Sequence, residues 1–161
     1  MKQQIMTRKA RINDAAIVHR LFCETVQALD RNCYTEMQIQ QWASHYGGHR
    51  SWEQKITESN YVLATNSNDE VYGFCSLQVC GCIDKLYVHP GHQHTGIASC
   101  LLEAIYELAD KSHIATLYSY ASPAATPFFE KNGFLVRDVS LKTIGDAHYT
   151  CVLVDKRLWL M

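Results

Sequence analysis

The chain has 161 residues, 47% of them hydrophobic and 19% charged, with a formal net charge of −1. That is enough for one domain with its own core, too hydrophobic for a disordered tail, and too neutral to advertise a nucleic-acid or anionic-membrane surface. No apolar stretch approaches membrane-spanning length and no basic leader precedes an apolar run, so a cytoplasmic protein that stays off membranes is expected.

In chain order, a strand is expected over residues 4–12. Asp14 is placed as the N-cap of a helix whose apolar stripe is Ile17, Val18, Leu21, Phe22, Val26 and Leu29. Thr35-Glu36-Met37-Gln38 has capping-box spacing and opens a second helix through Trp42; Ser51-Trp52-Glu53-Gln54 repeats the signature for a short third. Three strands follow: 61–65, then 71–78 with Val71, Gly73, Cys75 and Leu77 on one face, then 80–88, ending at Pro90-Gly91. A long amphipathic helix runs from Gly96 to about Asp110, then a strand over 115–120. Ser122-Pro123 opens a helix that ends near Asn132-Gly133, and two closing strands flank Ile144-Gly145-Asp146. This order predicts a mixed α/β (α+β) fold around one sheet, and no linker or repeat divides residues 1–161. The seven cysteines, Cys23, Cys33, Cys75, Cys80, Cys82, Cys100 and Cys151, are odd in number and read as free thiols in a reducing compartment.

The most informative segment is Val88-His89-Pro90-Gly91-His92-Gln93-His94-Thr95-Gly96-Ile97-Ala98. A strand ends, a polar loop turns, and a helix starts with small residues in its first turn. Helix N-termini leave N–H groups unpaired and carry partial positive charge, which suits phosphate oxygens. Gln93-x-x-Gly96-x-Ala98, after Leu86-Tyr87-Val88-His89-Pro90, resembles the acyl-CoA signature of the GNAT N-acetyltransferase superfamily. A second match lies downstream, where the segment from Ala121 to Phe134, with Phe128-Phe129-Glu130-Lys131-Asn132-Gly133-Phe134, is similar to that superfamily's late helix. With Tyr34-Thr35-Glu36 and Gln41-Trp42-Ala43, which are similar to the YafP-like branch, the resemblance covers almost the whole chain.

That resemblance implies the GNAT acyl-CoA N-acyltransferase fold, a mostly antiparallel sheet flanked by helices, with acetyl-CoA as cosubstrate. It implies that the backbone of Leu86, Tyr87 and Val88 pairs with pantetheine, and that the N–H groups of Gln93, His94, Thr95, Gly96, Ile97, Ala98 and Ser99 cradle the pyrophosphate. Ser122, Ala125 and Phe128 fall along the pantetheine arm, and the Leu86 N–H is the candidate for polarising the thioester carbonyl. His94 and Thr95 stand where many relatives carry Arg or Lys.

Acetyl transfer to an amine needs the amine neutral, and an alkylammonium titrates near ~10.4. Asp84 is the candidate base. By strict alternation it shares a face with Cys80, Cys82, Leu86 and Val88, an apolar setting that would raise its pKa; the alternative is a carboxylate exposed at a bulge or bonded to the neighbouring strand. The Tyr that protonates the leaving thiolate in many relatives is Phe129 here, leaving Tyr118, Tyr120 and Ser122 as substitutes. Tyr34, Trp42, Tyr46 and Tyr120 are candidate walls for a small, partly aromatic or apolar primary amine. Two other readings stay open: an acetyl-CoA-binding sensor that lost the chemistry, and acetylation of a protein or tRNA. A zinc site built from Cys80-x-Cys82 and His89-x-x-His92-x-His94 is disfavoured, because the cysteines alternate on a strand and no knuckle is present. Strand edges splayed by a bulge leave room for a homodimer.

Overall fold

The computed structural model describes residues 3–159. The elements are β1 (Met6–Lys9), a 3-10 turn (Ile12–Asp14), α1 (Ala15–Gln27), α2 (Glu36–Ser44), α3 (His49–Glu58), β2 (Asn60–Thr65), β3 (Val71–Leu77) and β4 (Ile83–Val88). A second 3-10 turn (Pro90–His92), α4 (Ile97–Lys111), β5 (Thr116–Ala121), α5 (Thr126–Lys131), β6 (Leu135–Ile144) and β7 (Ala147–Arg157) complete the order.

The strands form two antiparallel sheets rather than the single one expected, ordered β1-β2-β3-β4 and β5-β7-β6. They touch through one parallel bridge, Cys82 to Tyr118, and through the Ser119 hydroxyl, which donates to the Ile83 carbonyl. Beyond that junction β4 and β5 part, so among the described residues the outer edge of β4 from Asp84 onward has no partner strand.

Two bulges break the alternation on which the face assignments rested. Ala64 faces Gly73 but Thr65 faces Val71, so Tyr72 is extra; Val71 packs with the α1–α3 side and Tyr72 with the α4 side. Ser76 faces Lys85 but Leu77 faces Ile83, so Asp84 is extra. Ile83, Leu86 and Val88 therefore look toward α4, while Tyr87 looks toward α1. Asp84 does not share an apolar face with Leu86 and Val88; it is pushed out of the ladder and exposed.

Two cores hold this frame. On one face Leu101, Leu102 and Ile105 of α4 bury against Cys75, Leu77, Leu117, Val152 and Val154. Each large side chain so enclosed contributes about 1.5–3 kcal/mol. Gly73 lets α4 seat on β3: a Cβ there would lie 2.8 Å from the Tyr87 carbonyl oxygen and 3.1 Å from Ile97 Cγ2. On the other face Phe22, Ile39, Trp52, Leu63 and Phe74 form the second core. A third, smaller cluster joins α2 to the β6–β7 hairpin through Trp42, Ile144, Ala147 and Tyr149.

Helix starts differ in detail. Thr35 and Gln38 form the expected reciprocal box, with the Gln38 N–H donating to Thr35 Oγ1 at 3.1 Å and the Thr35 N–H to Gln38 Oε1 at 2.8 Å. Ser51 lies inside α3, which starts two residues earlier after Gly48; its hydroxyl instead accepts from Lys55 Nζ. Asp14 stands at the α1 N-cap position, but its carboxylate accepts from the Arg11 N–H and the Arg8 guanidinium. β1 is shorter than expected, and α5 starts at Thr126 with Pro127 in its first turn, after a Ser122–Ala125 turn.

Candidate functional site

The loop between β4 and α4 is held from both sides. The His89 N–H donates to the Tyr72 carbonyl at 2.8 Å, His89 Nδ1 accepts from the Gly91 N–H, and His89 Nε2 meets Glu24 of α1 at 3.1 Å. His92 stacks on Tyr72 with ring centroids 3.9 Å apart, and Gln93 Nε2 donates to the Val88 carbonyl. His89 and His92 are thus used structurally, and among the described residues no three His, Cys, Asp or Glu side chains converge to hold a metal.

The backbone then turns twice through the left-handed region, at His94 (φ 61°) and Gly96 (φ 88°). Only glycine adopts that conformation without strain, and His is one of the few other residues that visit it. Gly96 is the N-cap of α4 and has no side chain to satisfy the first-turn amides, so the N–H groups of Ile97, Ala98 and Ser99 have no partner within the helix. An ideal Cβ at Gly96 would meet nothing within 4 Å, so the space above the helix start is open. Gln93, His94, Thr95, Gly96 and Ser99 are exposed, while the Ile97 side chain is buried in the core and only its amide can face a ligand. A diphosphate fits this cradle of amides.

The ladder phase fixes which atoms of β4 face the open edge. Because His89 bonds to Tyr72, residues 85, 87 and 89 exchange bonds with 76, 74 and 72 on β3. Leu86 and Val88 consequently turn their backbone groups outward, toward the gap between the sheets. Tyr87, expected to pair alongside them, spends its backbone on Phe74 and its ring on Phe22 (5.2 Å) and Phe74 (5.5 Å). Of the three residues only Leu86 and Val88 can extend the sheet to a ligand, Val88 through its N–H, because its carbonyl accepts from Gln93 Nε2.

Across the gap, Ser122 follows β5. Its hydroxyl oxygen accepts from the Ala125 N–H at 3.2 Å, closing the turn into α5. Burial pushes the Tyr34 phenol up, partly countered by the Ser122 hydroxyl beside it, so α2's approach meets the β5 end here. Ala125 and Phe128 pack partly buried against the α4 core, whereas Phe129 is 3% exposed, with its ring 5.1 Å from Phe134. Tyr118 shares a hydrogen bond with Cys80 (3.2 Å). That bond favours a thiolate and a neutral phenol, so Cys80 is pulled down and Tyr118 pushed up to about 12. Tyr120 is exposed and meets Tyr118 edge-on.

The aromatic residues expected as acceptor walls divide into two groups. Trp42 stands edge-on between Tyr34 and Tyr149, each 5.7 Å away, and Tyr149 donates to the Gln38 carbonyl. Tyr46 lies deeper in the second core, against which Tyr34 and Trp42 also pack; it meets Phe22 (5.3 Å) and Trp52 (5.8 Å), and burial pushes its phenol up to about 12. Lys85 Nζ lies 4.2 Å from the Tyr46 ring centroid and contacts Asp84 Oδ2. Burial lowers the Lys85 pKa, while the Asp84 charge opposes that effect. Sequence reasoning missed Lys85, because a lysine on a strand reads as solvent-facing, and Tyr149, whose alternation with Ala147 and Cys151 was visible.

Comparison with known proteins shows the family to which this fold belongs. Residues 30–147 match the acetyltransferase (GNAT) domain model. The chain is 30% identical over 114 residues, 71% of its length, to the uncharacterized N-acetyltransferase YafP of Escherichia coli, covering 70% of that protein. A GCN5-related N-acetyltransferase from Rhodopseudomonas palustris superposes with a TM-score of 0.90 at 26% identity, over 98% of this chain and 99% of that one. The Thermoplasma acidophilum PaiA N-acetyltransferase, solved in complex with coenzyme A, gives 0.80 at 21% identity, over 96% and 99%.

Proposed function

Because the chain belongs to the GNAT acetyltransferase family, we propose that it moves the acetyl group of acetyl-CoA to the primary amine of a small molecule, by direct attack in a ternary complex. The observation that carries this reading is continuity: the open edge of β4 at Leu86 and Val88 leads into the unpaired amides at the start of α4. The PaiA structure holding coenzyme A supports the same cosubstrate here.

In this reading Leu86 and Val88 bind the pantetheine arm through their outward backbone groups, and the amides from Gln93 to Ser99 hold the diphosphate. Ala125 and Phe128 line the arm, and Ser122 borders it. The Leu86 N–H faces the carbonyl oxygen on which negative charge develops, and it loses little by reorganising because the strand already fixes it. Asp84, exposed at the bulge, takes the proton that the attacking amine must lose. The thiol's ordinary pKa near ~8.5 makes its anion a tolerable leaving group that water protonates, so Phe129 is no obstacle. Tyr34, Trp42 and Tyr120 wall the acceptor side, which favours an amine with an aromatic or apolar body.

Free cysteines at all seven positions support a cytoplasmic setting. No helix among the described residues is long and apolar enough to cross a membrane. The exposed edge strand β6, with Val139 and Leu141 open to solvent, supports a homodimer.

The test is CoA release with a panel of primary amines, the product weighed by mass spectrometry, for wild type and Asp84→Ala. Acetylated amine from wild type, and at least a hundredfold less from the variant, is the expected result. Tight acetyl-CoA binding with no amine acetylated would favour the second reading, a sensor, for which the buried Phe129 without a hydroxyl is the supporting observation.

A further inference from the structure

β4 buries a lysine. Lys85 opposes Ser76 of β3, and its side chain is 2% exposed. Its ammonium lies 4.2 Å from the Tyr46 ring centroid and 5.8 Å from that of Trp52. Among the described residues, Asp84 is the one carboxylate in contact with it, and the neighbouring Ser76 Oγ is buried without a hydrogen-bond partner. An ammonium out of water is costly unless paired and held, so this side chain is not accidental packing. On a regular strand, neighbours such as Asp84 and Lys85 point to opposite faces. The bulge cancels that alternation: the Asp84 head turns back to meet Lys85, while 36% of its side chain remains exposed at the open edge of β4. One end of the pair is thus locked inside the protein and the other reaches solvent.

We propose that Lys85 is a positioning residue for acetyl transfer, a buried positive charge that pins Asp84 at the lip of the acceptor cleft and makes a bound acceptor ammonium easier to deprotonate. The inference rests on the reading of Asp84 as the base. An acceptor entering as an ammonium meets a fixed like charge behind the carboxylate, which favours its neutral form. Its N–H bond breaks, the electron pair stays on nitrogen for the attack, and the proton passes to the Asp84 carboxylate and from its exposed side to water. The groups around Lys85 are Asp84 and Tyr87 on β4, Cys82 just before it, Tyr61 on β2, His45 and Tyr46 after α2, Lys55 on α3 and Lys142 on β6. Lys55 and Lys142 add to the positive field, so Asp84 is the counter-charge in this set.

Two readouts test it. In protein labelled with 13Cε-lysine, the Lys85 resonance is expected to titrate below the other lysines, and lower still by about one pH unit or more in Asp84→Asn. Titration with the surface lysines, or indifference to Asp84→Asn, overturns the pairing. With tyramine as acceptor, the acidic limb of kcat is expected to move up by about half a pH unit or more in Lys85→Met and in Lys85→Gln, and to return in Lys85→Arg, with acetyl-CoA affinity unchanged in all three. Superimposable pH profiles overturn the electrostatic role even if kcat falls. If wild type acetylates no tyramine, the proposed activity fails for that amine, whereas the lysine titration still upholds or overturns the positioning of Asp84 by itself.

Discussion

Replacing Gly96 by alanine isolates the backbone geometry on which ligand binding depends. A Cβ at this position meets nothing within 4 Å, so no clash contributes. The φ of 88° does: an L-residue held there costs about 1–2 kcal/mol. If the loop keeps its shape, Gly96→Ala therefore lowers the melting temperature by roughly 2–8 °C for a domain of this size. If the loop relieves the strain by returning to negative φ, the amides of residues 96–99 are re-aimed. Losing one charge-assisted hydrogen bond of about 1.5–3 kcal/mol then weakens acetyl-CoA binding roughly ten- to a hundredfold. Gly91 is the control, because its φ is not positive and an added Cβ would sit 3.3 Å from the His89 ring, a contact that a small ring shift relieves. Scanning calorimetry and acetyl-CoA titration of both variants give the assay. Melting temperature and affinity both unchanged in Gly96→Ala would refute the reasoning, as would Gly91→Ala causing the larger loss.

Asp84→Asn should lower kcat by about 10²- to 10⁴-fold while acetyl-CoA affinity stays within twofold, measured by steady-state kinetics and calorimetry. Trp42→Ala removes two edge-on aromatic pairs, with Tyr34 and Tyr149. It should cost about 1–3 kcal/mol in urea unfolding and raise the acceptor KM several-fold more than the acetyl-CoA KM. The Arg8 guanidinium holds the Asp14 carboxyl below its usual range. Its stabilisation is therefore complete above the unfolded value near ~3.9 and is lost as pH falls through the folded value. Between pH 5 and pH 2, wild type should lose more stability than Asp14→Asn in denaturant titrations; equal losses would remove Asp14 from the account.

Much of this architecture was legible because its signals are local. The Thr35 box, the amphipathic α4, the Gly133 helix end and the β6–β7 hairpin around Gly145 each declare themselves within a few residues. What escaped was whatever depends on a partner strand. Alternation put Asp84 among apolar side chains and left exposure at a bulge as the alternative; the register slip opposite Ser76 and Leu77 decides for the bulge and lets Asp84 pair with Lys85, which escaped. Where β4 and β5 part is likewise not written in either strand, so one expected sheet became two. Tyr87 illustrates the limit within the candidate site: its position in the motif was readable, but whether its amide faces β3 or the gap is set by ladder phase, which a sequence does not state. Ser51 failed for a different reason, since capping-box spacing also occurs inside helices, where the hydroxyl finds another partner.

The most direct test follows the backbone amides by 1H–15N NMR while acetyl-CoA is added. The largest downfield shifts are expected at Gly96, Ile97, Ala98 and Ser99, accompanied by Leu86 and Val88, with Tyr87 moving less than either strand neighbour. Saturable binding that leaves the amides at the start of α4 unmoved would contradict that expectation.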